Sequence, residues 1–358
     1  MHFALSEEQA ELAATVRSLL DRHADSTAVR TAMSAPDGFD PSLWRLLCEQ
    51  VGVAALPVPE EHDGVGASLL ESAVVLEEVG RSLAPSPLLA HAIAVAAVLL
   101  HGSADQQATL LPRLAAGEIG TVVWDAPASR LVLDGAAAEV LLGFTDGRLV
   151  EHDLRLTRVP AMDPTLLLAR ADSHVTGDSP GDSPGDLRDV AMTLATAVMV
   201  GVMQRGLDMT VAYSKEREQF GRPIGSFQAL KHRMADLLVL VEASRTASWA
   251  ASAAAAAYVL EPSAAHRATL HERAAVAQAW CSEAVVRVAG ETVQLHGGVA
   301  ITWEHDAQLV LKRAQALAQL FGRAHHHRAT VLGLRGAPSP EDAATVDSSG
   351  GRAGTPGQ

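Results

Sequence analysis

Side chains suited to metal binding or proton transfer occur at a few places in this sequence, and spacing alone makes none of them a site. His325-His326-His327 could ligate a metal, but three adjacent imidazoles cannot all face one ion, so we predict no metal site there. Glu304 could act as a base, yet a loop acid beside His305 is expected to make an interface contact. Cys281 lies on an apolar helical stretch, which predicts a position in the core.

The most informative stretch runs from Tyr213 to Asp236, YSKEREQFGRPIGSFQALKHRMAD, and is typical of a corner between two helices. The first helix is predicted to close at Arg217, Gln219 and Phe220. Glycine and proline then mark a turn, at Gly221, Pro223 and Gly225. Beyond the turn, apolar residues return at helical spacing, at Phe227, Leu230, Met234 and Leu237.

Composition indicates a mostly helical protein of two or three domains. The chain has 358 residues and 48 % hydrophobic residues but only 4 % aromatics, a balance that suits closely packed helices. A net charge of −14 argues against nucleic-acid binding, which needs a basic face. Two cysteines are too few for a disulfide framework. Without a long apolar run or a signal-peptide pattern, no membrane contact is expected and a cytoplasmic location is predicted.

Residues 1–118 predict an N-terminal α-helical domain. Ser6 and Gln9 have the spacing of a capping box at the start of its first helix. A Pro- and Gly-rich loop, LPVPEEHDGVGAS, interrupts the helical pattern near its middle. Apolar periodicity predicts further helices around Trp44–Val51, Leu69–Val79, Leu88–Leu100 and Gln106–Leu114.

Residues 119–172 predict a short middle β-domain. Valine and leucine alternate here, and turn dipeptides at Asp134-Gly135 and Asp146-Gly147 predict hairpins. The following segment, 173–186, contains GDSPGDSPGD and is expected to be a flexible linker.

Residues 187–335 predict a C-terminal α-helical bundle. One long helix leads into the corner, a second follows it to about Tyr258, a third covers His266–Val293, and a last one covers Ala307–Leu320. The tail, 336–358, is rich in Gly, Ser, Pro and Asp and is predicted to be disordered.

Two motifs in the C-terminal half resemble the acyl-CoA dehydrogenase family, flavoproteins that oxidise an acyl-CoA thioester to its 2-enoyl-CoA. The corner resembles the family's R-x-x-F-G-x-x-I-x-x-F-Q sequence, and Gln294-Leu295-His296-Gly297-Gly298 resembles its Q-x-x-G-G turn after a long helix. The resemblance covers roughly Phe3 to Arg323. It implies a mainly α fold with an N-terminal helical bundle, a reduced middle β-domain and a C-terminal four-helix bundle.

The resemblance also implies FAD as cofactor. In this family the corner and the Gly-Gly turn hold the pyrophosphate and adenosine end of an FAD bound mainly by a neighbouring subunit. Carried over residue by residue, the FAD contacts, here called the clamp residues, are Arg217, Gln219, Phe220, Gln228, Gln294, Gly297 and Gly298. The alternative is that Phe220, Phe227 and Gln228 only pack or cap the helix corner.

The resemblance breaks in the middle domain. A typical member carries a Thr-Glu-Pro-x-x-Gly-Ser-Asp segment that holds the flavin ring and borders the thioester. Here the chain reads TVVWDAPASRLVLDGAAAEV, so the flavin-ring segment is missing. The interval from Gly120 to about Ala171 is also roughly half the length that the family leads us to expect.

Neither of the family's two positions for a catalytic base carries a glutamate. The chemistry needs a carboxylate aligned with the flavin to remove the substrate's α-proton. Phe321, before Gly322, occupies the first position and Ala191 the second. Asp189 is the carboxylate nearest to the second position, but its shorter arm would be out of line, and a misplacement of about 1 Å can cost on the order of a hundredfold in rate.

An intact clamp without a base resembles the small, non-catalytic subunits of α2β2 acyl-CoA dehydrogenases in actinobacterial steroid degradation. Those subunits carry a G-G-x-x-x-T-W-E-H-D run, found here at residues 297–306. A catalytic partner would supply the glutamate and most of the flavin pocket, the substrate would be a bulky acyl-CoA, and electron-transferring flavoprotein would be the usual acceptor. The alternatives are a homotetrameric enzyme with its base displaced to Asp189 or Glu304, and a scaffold that binds no FAD.

Overall fold

The computed structural model describes residues 5–124, 131–171 and 184–336. Within this part the protein is mainly α-helical, with eleven α-helices and three small sheets. The predicted fold class is therefore confirmed. Most of the predicted linker, 173–186, and nearly all of the predicted tail, 336–358, lie outside the described residues.

Six helices form the N-terminal part: α1 Glu7–His23, α2 Ser26–Ser34, α3 Pro41–Val51, α4 Leu69–Ser82, α5 Leu88–His101 and α6 Ala104–Ala115. The predicted capping box is present, since the Ser6 hydroxyl accepts from Gln9 N–H while the Gln9 side chain accepts from Ser6 N–H. Helix α2 was not predicted. It starts only three residues after α1 ends, where Asp25 caps it by accepting from Ala28 N–H at 2.8 Å.

The C-terminal part is built on three long helices, α7 Gly185–Glu216, α8 Gln228–Leu260 and α9 Ala264–His296, followed by α10 Ala307–Leu317 and α11 Ala324–Leu334. Helices α7 to α10 pack around one another as the predicted four-helix bundle. Helix α11 was missed, because only His327 among its residues is buried and its apolar pattern is weak. Helix α7 has the length and composition of a membrane span, but 89 % of its most apolar window is buried, as in the central helix of a bundle.

The two helical parts meet where α4 crosses α7 almost backbone to backbone. A Cβ atom on Gly201 of α7 would lie 1.9 Å from the carbonyl oxygen of Glu77. One on Gly80 of α4 would lie 2.3 Å from that of Val198. Both helices therefore need glycine at this crossing, and one continuous core extends through both parts.

The middle segment forms two three-stranded sheets rather than a barrel. The strands are β1 Gly120–Val122, β2 Leu131–Leu133, β3 Val140–Thr145, β4 Arg148–Glu151, β5 Leu156–Val159 and β6 Leu168–Ala171. One sheet has the order β1-β3-β4, with β1 parallel to β3, and the other has the order β2-β6-β5. Asp146-Gly147 joins the β3–β4 hairpin as predicted.

The hairpin predicted at Asp134-Gly135 is wrong. Strand β2 pairs with β6 instead of β3, and Asp134 N–H donates to the carbonyl oxygen of Leu167 at 2.8 Å. Strand β3 pairs with β1 instead, and Val140 N–H donates to the carbonyl oxygen of Ile119 at 3.1 Å. A turn dipeptide indicates a reversal of the chain but does not decide which strand becomes the partner.

Two buried polar side chains attach these sheets to the helices. His91 of α5 has Nε2 3.2 Å from the Ala54 carbonyl oxygen and accepts from Gly120 N–H at Nδ1, and burial lowers its pKa to about 4. Arg313 of α10 forms an ion pair with Asp163 at 2.8 Å, and its guanidinium donates to both oxygens of Thr165 at 2.7 Å. These two side chains therefore each add polar contacts between the middle segment and the helices.

Asp134 is expected to weaken the fold as pH rises. Burial raises the pKa of its carboxyl to about 8, with nearby Arg313 opposing the shift. The folded state then holds a proton that the unfolded state has released between about pH 4 and pH 8, so stability falls with rising pH across that window. Asp134→Asn should leave Tm nearly unchanged at pH 4.5 and raise it by a few degrees at pH 8.5, a stabilisation of about 1–2 kcal/mol.

The residue's left-handed backbone, with φ of 53°, suits asparagine, so the substitution introduces no new strain. Differential scanning fluorimetry across pH 4.5–9 gives the comparison. A variant whose Tm advantage is the same at every pH would contradict the titration of Asp134.

Candidate cofactor-binding surface and active-site positions

The fold brings the corner and the Gly-Gly turn to one end of the bundle. Helix α7 ends at Glu216, α8 begins at Gln228 and α9 ends at His296, all at this end. Arg233 near the start of α8 forms an ion pair with Glu291 near the end of α9. The Tyr213 ring stacks on the His296 ring with centroids 4.6 Å apart. Two motifs separated by about 70 residues in sequence thus form one surface.

The corner is a tight backbone structure, as predicted. Arg217 caps the C-terminus of α7. Its N–H donates to the Tyr213 carbonyl at 2.9 Å, and its own carbonyl accepts from Ile224 N–H at 2.7 Å. Two-residue strands, β7 Glu218–Gln219 and β8 Arg222–Pro223, pair across the turn. Phe220 and Gly221 between them both have left-handed backbones, with φ of 54° and 76°.

The clamp side chains at the corner point outward and make few contacts inside the chain. Phe220 is 92 % exposed, although the centroid of its ring lies 6.1 Å from that of the Phe227 ring. Within the described residues, the guanidinium of Arg217 has no hydrogen-bond or ion-pair partner. The side chain of Gln219 donates to the adjacent Glu218 carbonyl, which is its one hydrogen bond within the described residues. Packing accounts for Phe227, which lies under the Arg222 guanidinium at 4.0 Å, but not for the exposed Phe220.

The corner is locally cationic in an acidic protein. Residues 213–236 carry five basic side chains against three acidic ones, whereas the whole chain has a net charge of −14. Arg222 is exposed like Arg217. An exposed cationic surface with open guanidinium groups can bind a phosphate-bearing ligand.

Gly297 at the end of α9 has a conformation open only to glycine, with φ of 66° and ψ of −145°. Its N–H donates to the carbonyls of Gln294 and Val293, so this amide closes the helix and is not free for a phosphate. A Cβ atom on Gly297 or Gly298 would meet nothing within 4 Å. The glycine pair therefore shapes the backbone and leaves open space above it.

The residues after the glycine pair, 297–306, form an exposed loop that we call the Gly-Gly loop. Three of its apolar side chains face solvent: Val299 is 40 %, Ile301 79 % and Trp303 56 % exposed. Only Ala300 is buried. Such a cluster beside the clamp residues is typical of a surface that contacts another chain.

The first base position is filled by an aromatic contact. Phe321 adopts φ of 60°, and its ring lies edge-to-face with that of Trp124, 5.4 Å between centroids. The Arg188 guanidinium lies 5.7 Å from the Trp124 ring. The second position, Ala191, is completely buried in α7. Neither position therefore presents a carboxylate, while the exposed corner offers groups that fit the adenosine end of FAD.

The two candidates for a displaced base lie in different surroundings. Asp189 is buried, and its Oδ2 lies 2.9 Å from Nδ1 of His271. Burial raises the pKa of Asp189 and the contact with His271 opposes this shift. Nearby Asp186 accepts from the Tyr258 hydroxyl at 2.7 Å. Glu304, in contrast, is exposed on the Gly-Gly loop.

Of the three adjacent histidines, His325 and His326 are exposed and His327 is buried. In the described part of the chain, no group of three or more His, Cys, Asp or Glu side chains could hold a metal ion. Sequence reasoning missed Trp124, Arg188 and Arg30 (on the unpredicted helix α2), because each belongs to no motif and acts through contacts distant in sequence.

Comparisons with known proteins show the family to which the two helical parts belong. The family model described as acyl-CoA dehydrogenase, N-terminal domain, matches residues 6–118, and that described as acyl-CoA dehydrogenase, C-terminal domain, matches residues 191–332. Acyl-CoA dehydrogenase IpdE2 from Mycolicibacterium smegmatis is 46 % identical over 320 residues, covering 89 % of this chain and 96 % of IpdE2.

Two solved structures are also similar. The Tcur3481–Tcur3483 steroid ACAD is 28 % identical with a TM-score of 0.79, covering 94 % of this chain and 99 % of that one. The ChsE4–ChsE5 complex from Mycobacterium tuberculosis is 26 % identical with a TM-score of 0.80, covering 95 % of this chain and 100 % of that one. Both family domains are matched, and IpdE2 is 46 % identical along nearly its whole length. The chain therefore belongs to the acyl-CoA dehydrogenase family.

Proposed function

We propose that this chain is the small, non-catalytic subunit of a heteromeric acyl-CoA dehydrogenase. It donates the clamp residues to an FAD whose flavin ring and catalytic glutamate belong to a partner chain, in an α2β2 complex. The observation that carries the proposal is the contrast between an exposed clamp surface and base positions occupied by Phe321 and Ala191. The complex dehydrogenates the α,β bond of an acyl-CoA.

The clamp residues would hold the pyrophosphate and adenosine of FAD. When bound, this cofactor supplies hydride acceptance from the acyl chain. Arg217 offers two parallel N–H groups to phosphate oxygens, and Phe220 offers an open aromatic face. The open space above Gly297 and Gly298 lets the ligand come near the backbone. All of these groups face outward, which suits a ligand held between two chains.

Exposed apolar side chains on the long helices support assembly with other chains. Leu238 and Val239 of α8 are 48 % and 66 % exposed, and Trp280 of α9 is 45 % exposed. Large apolar side chains grouped on a surface mark contacts between proteins. The similar ChsE4–ChsE5 structure is a complex, which supports a heteromeric assembly for this chain as well.

A bulky, polycyclic substrate class follows from the proposal of one active site per pair of unlike chains, because the missing second site leaves room. A steroid acyl-CoA is the form we propose. The similar Tcur3481–Tcur3483 protein is a steroid ACAD, which supports this substrate class. Electron-transferring flavoprotein is the acceptor we propose, on the resemblance to the family alone.

The test is the FAD-to-polypeptide ratio and native mass of this chain, alone and after co-expression with a full-length acyl-CoA dehydrogenase encoded beside it. We expect little flavin on the isolated chain and one FAD per pair of unlike chains in the complex. One FAD per chain in a homotetramer would contradict the proposal.

The displaced-base alternative is tested in parallel by replacing Asp189 and Glu304 with alanine, singly, in the complex. If this chain is the non-catalytic subunit, both variants should keep turnover within about threefold of the parent, because neither carboxylate takes the proton. A loss of a hundredfold or more in one variant, with FAD content unchanged, would instead identify that residue as the base.

A further inference from the structure

The Gly-Gly loop is attached to the N-terminal domain by one arginine of α2. Arg30 donates from Nη1 to the carbonyl oxygen of Trp303 at 2.6 Å and from Nη2 to that of Glu304 at 3.2 Å. Its Nη2 also lies 2.9 Å from the carboxylate of Asp306. One guanidinium thus binds three acceptors within four consecutive residues of the loop, more than 270 positions away in sequence.

Asp306 connects the same anchor to two further side chains. The Ser26 hydroxyl, one turn before Arg30 on α2, donates to its Oδ1 at 2.6 Å. Arg205 of α7 lies 3.3 Å from its Oδ2. The carboxylate is only 13 % exposed, so it is held from two helices in a partly desolvated position. Charge-assisted bonds of this kind are stronger and more directional than neutral ones.

Little else holds the loop. Apart from Ala300, its apolar side chains are largely exposed, although the Lys312 ammonium lies 4.3 Å from the centroid of the Trp303 ring. Its internal bonds are single local turns such as Thr302 N–H to Val299 at 3.2 Å. Gln308 adds one bond to the Trp303 carbonyl at 2.8 Å. A loop with so few buried contacts depends for its order on the groups that bind its backbone.

The anchored part of the loop lies next to the clamp residues. The His305 ring is 4.9 Å from that of His296, which itself stacks on Tyr213 of α7. His296 directly precedes Gly297, and its Nδ1 lies 2.7 Å from the Thr292 carbonyl. A fixed conformation at residues 303–306 therefore also restrains the glycine pair, through the ring contacts of His296 and through the short stretch of backbone between them.

We infer that Arg30 is a positioning residue for the FAD clamp. It does not touch the cofactor; it holds the Gly-Gly loop in one conformation, so that ordering the loop does not oppose FAD binding. The inference rests on the proposed function, because it assumes that this surface binds FAD in the complex. Only arginine has a planar fork able to bind two carbonyls and a carboxylate together.

The first experiment needs no enzyme activity. Hydrogen–deuterium exchange of the full-length isolated chain, without FAD, compares the parent with Arg30→Gln and Arg30→Lys. We expect peptides covering 297–306 to exchange about tenfold faster in Arg30→Gln, an intermediate effect in Arg30→Lys, and unchanged exchange in α7 and α9. Equal exchange in the parent and Arg30→Gln would overturn the inference.

The second experiment measures FAD dissociation from the co-expressed complex by flavin fluorescence. We expect Arg30→Gln to raise Kd for FAD about tenfold while kcat at saturating FAD and native mass stay unchanged. Arg113→Gln is the matched control, since Arg113 of α6 also bridges two acceptors, Glu118 at 2.8 Å and Glu151 at 2.9 Å, but contacts no part of the loop. It should leave Kd unchanged.

The outcomes separate the two proposals. If the parent complex binds FAD and the Arg30→Gln complex binds it equally well, the positioning role is wrong, while the proposed function as a non-catalytic subunit stands. If the parent complex binds FAD independently of the clamp residues, the proposed function fails and the inference fails with it. A rise in Kd that is accompanied by loss of native mass would assign Arg30 to assembly and overturn its positioning role.

Discussion

Replacing Arg217 with alanine is expected to remove most of the FAD from the co-expressed complex. Its guanidinium is exposed, has no partner in the described part of the chain, and is held at the end of α7 by backbone bonds that the substitution leaves intact. Loss of one charge-assisted contact to phosphate should weaken FAD binding by about 10- to 150-fold. Flavin absorbance per polypeptide after gel filtration, followed by titration with FAD, measures the effect.

Arg222→Ala is the matched control for Arg217. Both arginines are exposed at the same corner, and both substitutions change the net charge equally, but the Arg222 guanidinium already lies over the Phe227 ring. We expect Arg222→Ala to weaken FAD binding by less than threefold. Equal losses in the two variants would mean that only the charge of the corner matters, whereas unchanged flavin in Arg217→Ala would favour the scaffold without FAD.

Replacing Arg313 with methionine should cause the largest loss of stability. Its partner Asp163 is fully buried, and both oxygens of Thr165 accept from the same guanidinium. Removing the cation leaves a buried carboxylate unpaired, at a cost of about 3–5 kcal/mol. We expect Tm at neutral pH to fall by about 6–15 °C, measured by differential scanning fluorimetry.

The double variant Arg313→Met, Asp163→Leu separates the loss of an interaction from the burial of an unpaired charge. It should recover a large part of the lost Tm, because neither charge then remains buried. A single variant whose Tm stays within 2 °C of the parent would show that water reaches Asp163 and that the ion pair does not fix the middle segment.

The long helices and the corner could be predicted because their signals are local. Apolar residues at helical spacing, caps such as Ser6 and breakers such as Pro223 depend only on near neighbours along the chain. Helix α2 escaped prediction since it is short and follows α1 almost directly. The partner of β2 escaped prediction because strand pairing is decided by contacts between distant residues, such as Asp134 with Leu167.

In the candidate site, too, the residues in local motifs could be predicted and the contacts between distant residues could not. The clamp residues lie in two sequence motifs, so a resemblance was enough to name them, and their role in binding FAD stays a prediction. The sequence could name Phe321 as the occupant of a base position but not its contact with Trp124, which depends on how a loop meets the end of β1. The contact of Arg30 with residues 303–306 could not be predicted, since no pattern near Arg30 in the sequence indicates which distant residues it contacts.

The crossing of α4 and α7 limits how the protein can move. At Gly80 and Gly201 the two backbones are so close that neither helix can slide along the other without first separating. Sliding of packed helices is one of the two usual ways in which domains open around a ligand, and hinge bending is the other. With sliding blocked at this crossing, any change in the separation of the N-terminal helices and the C-terminal bundle has to come from hinge bending elsewhere in the chain, so that α4 and α7 are expected to move as one rigid unit.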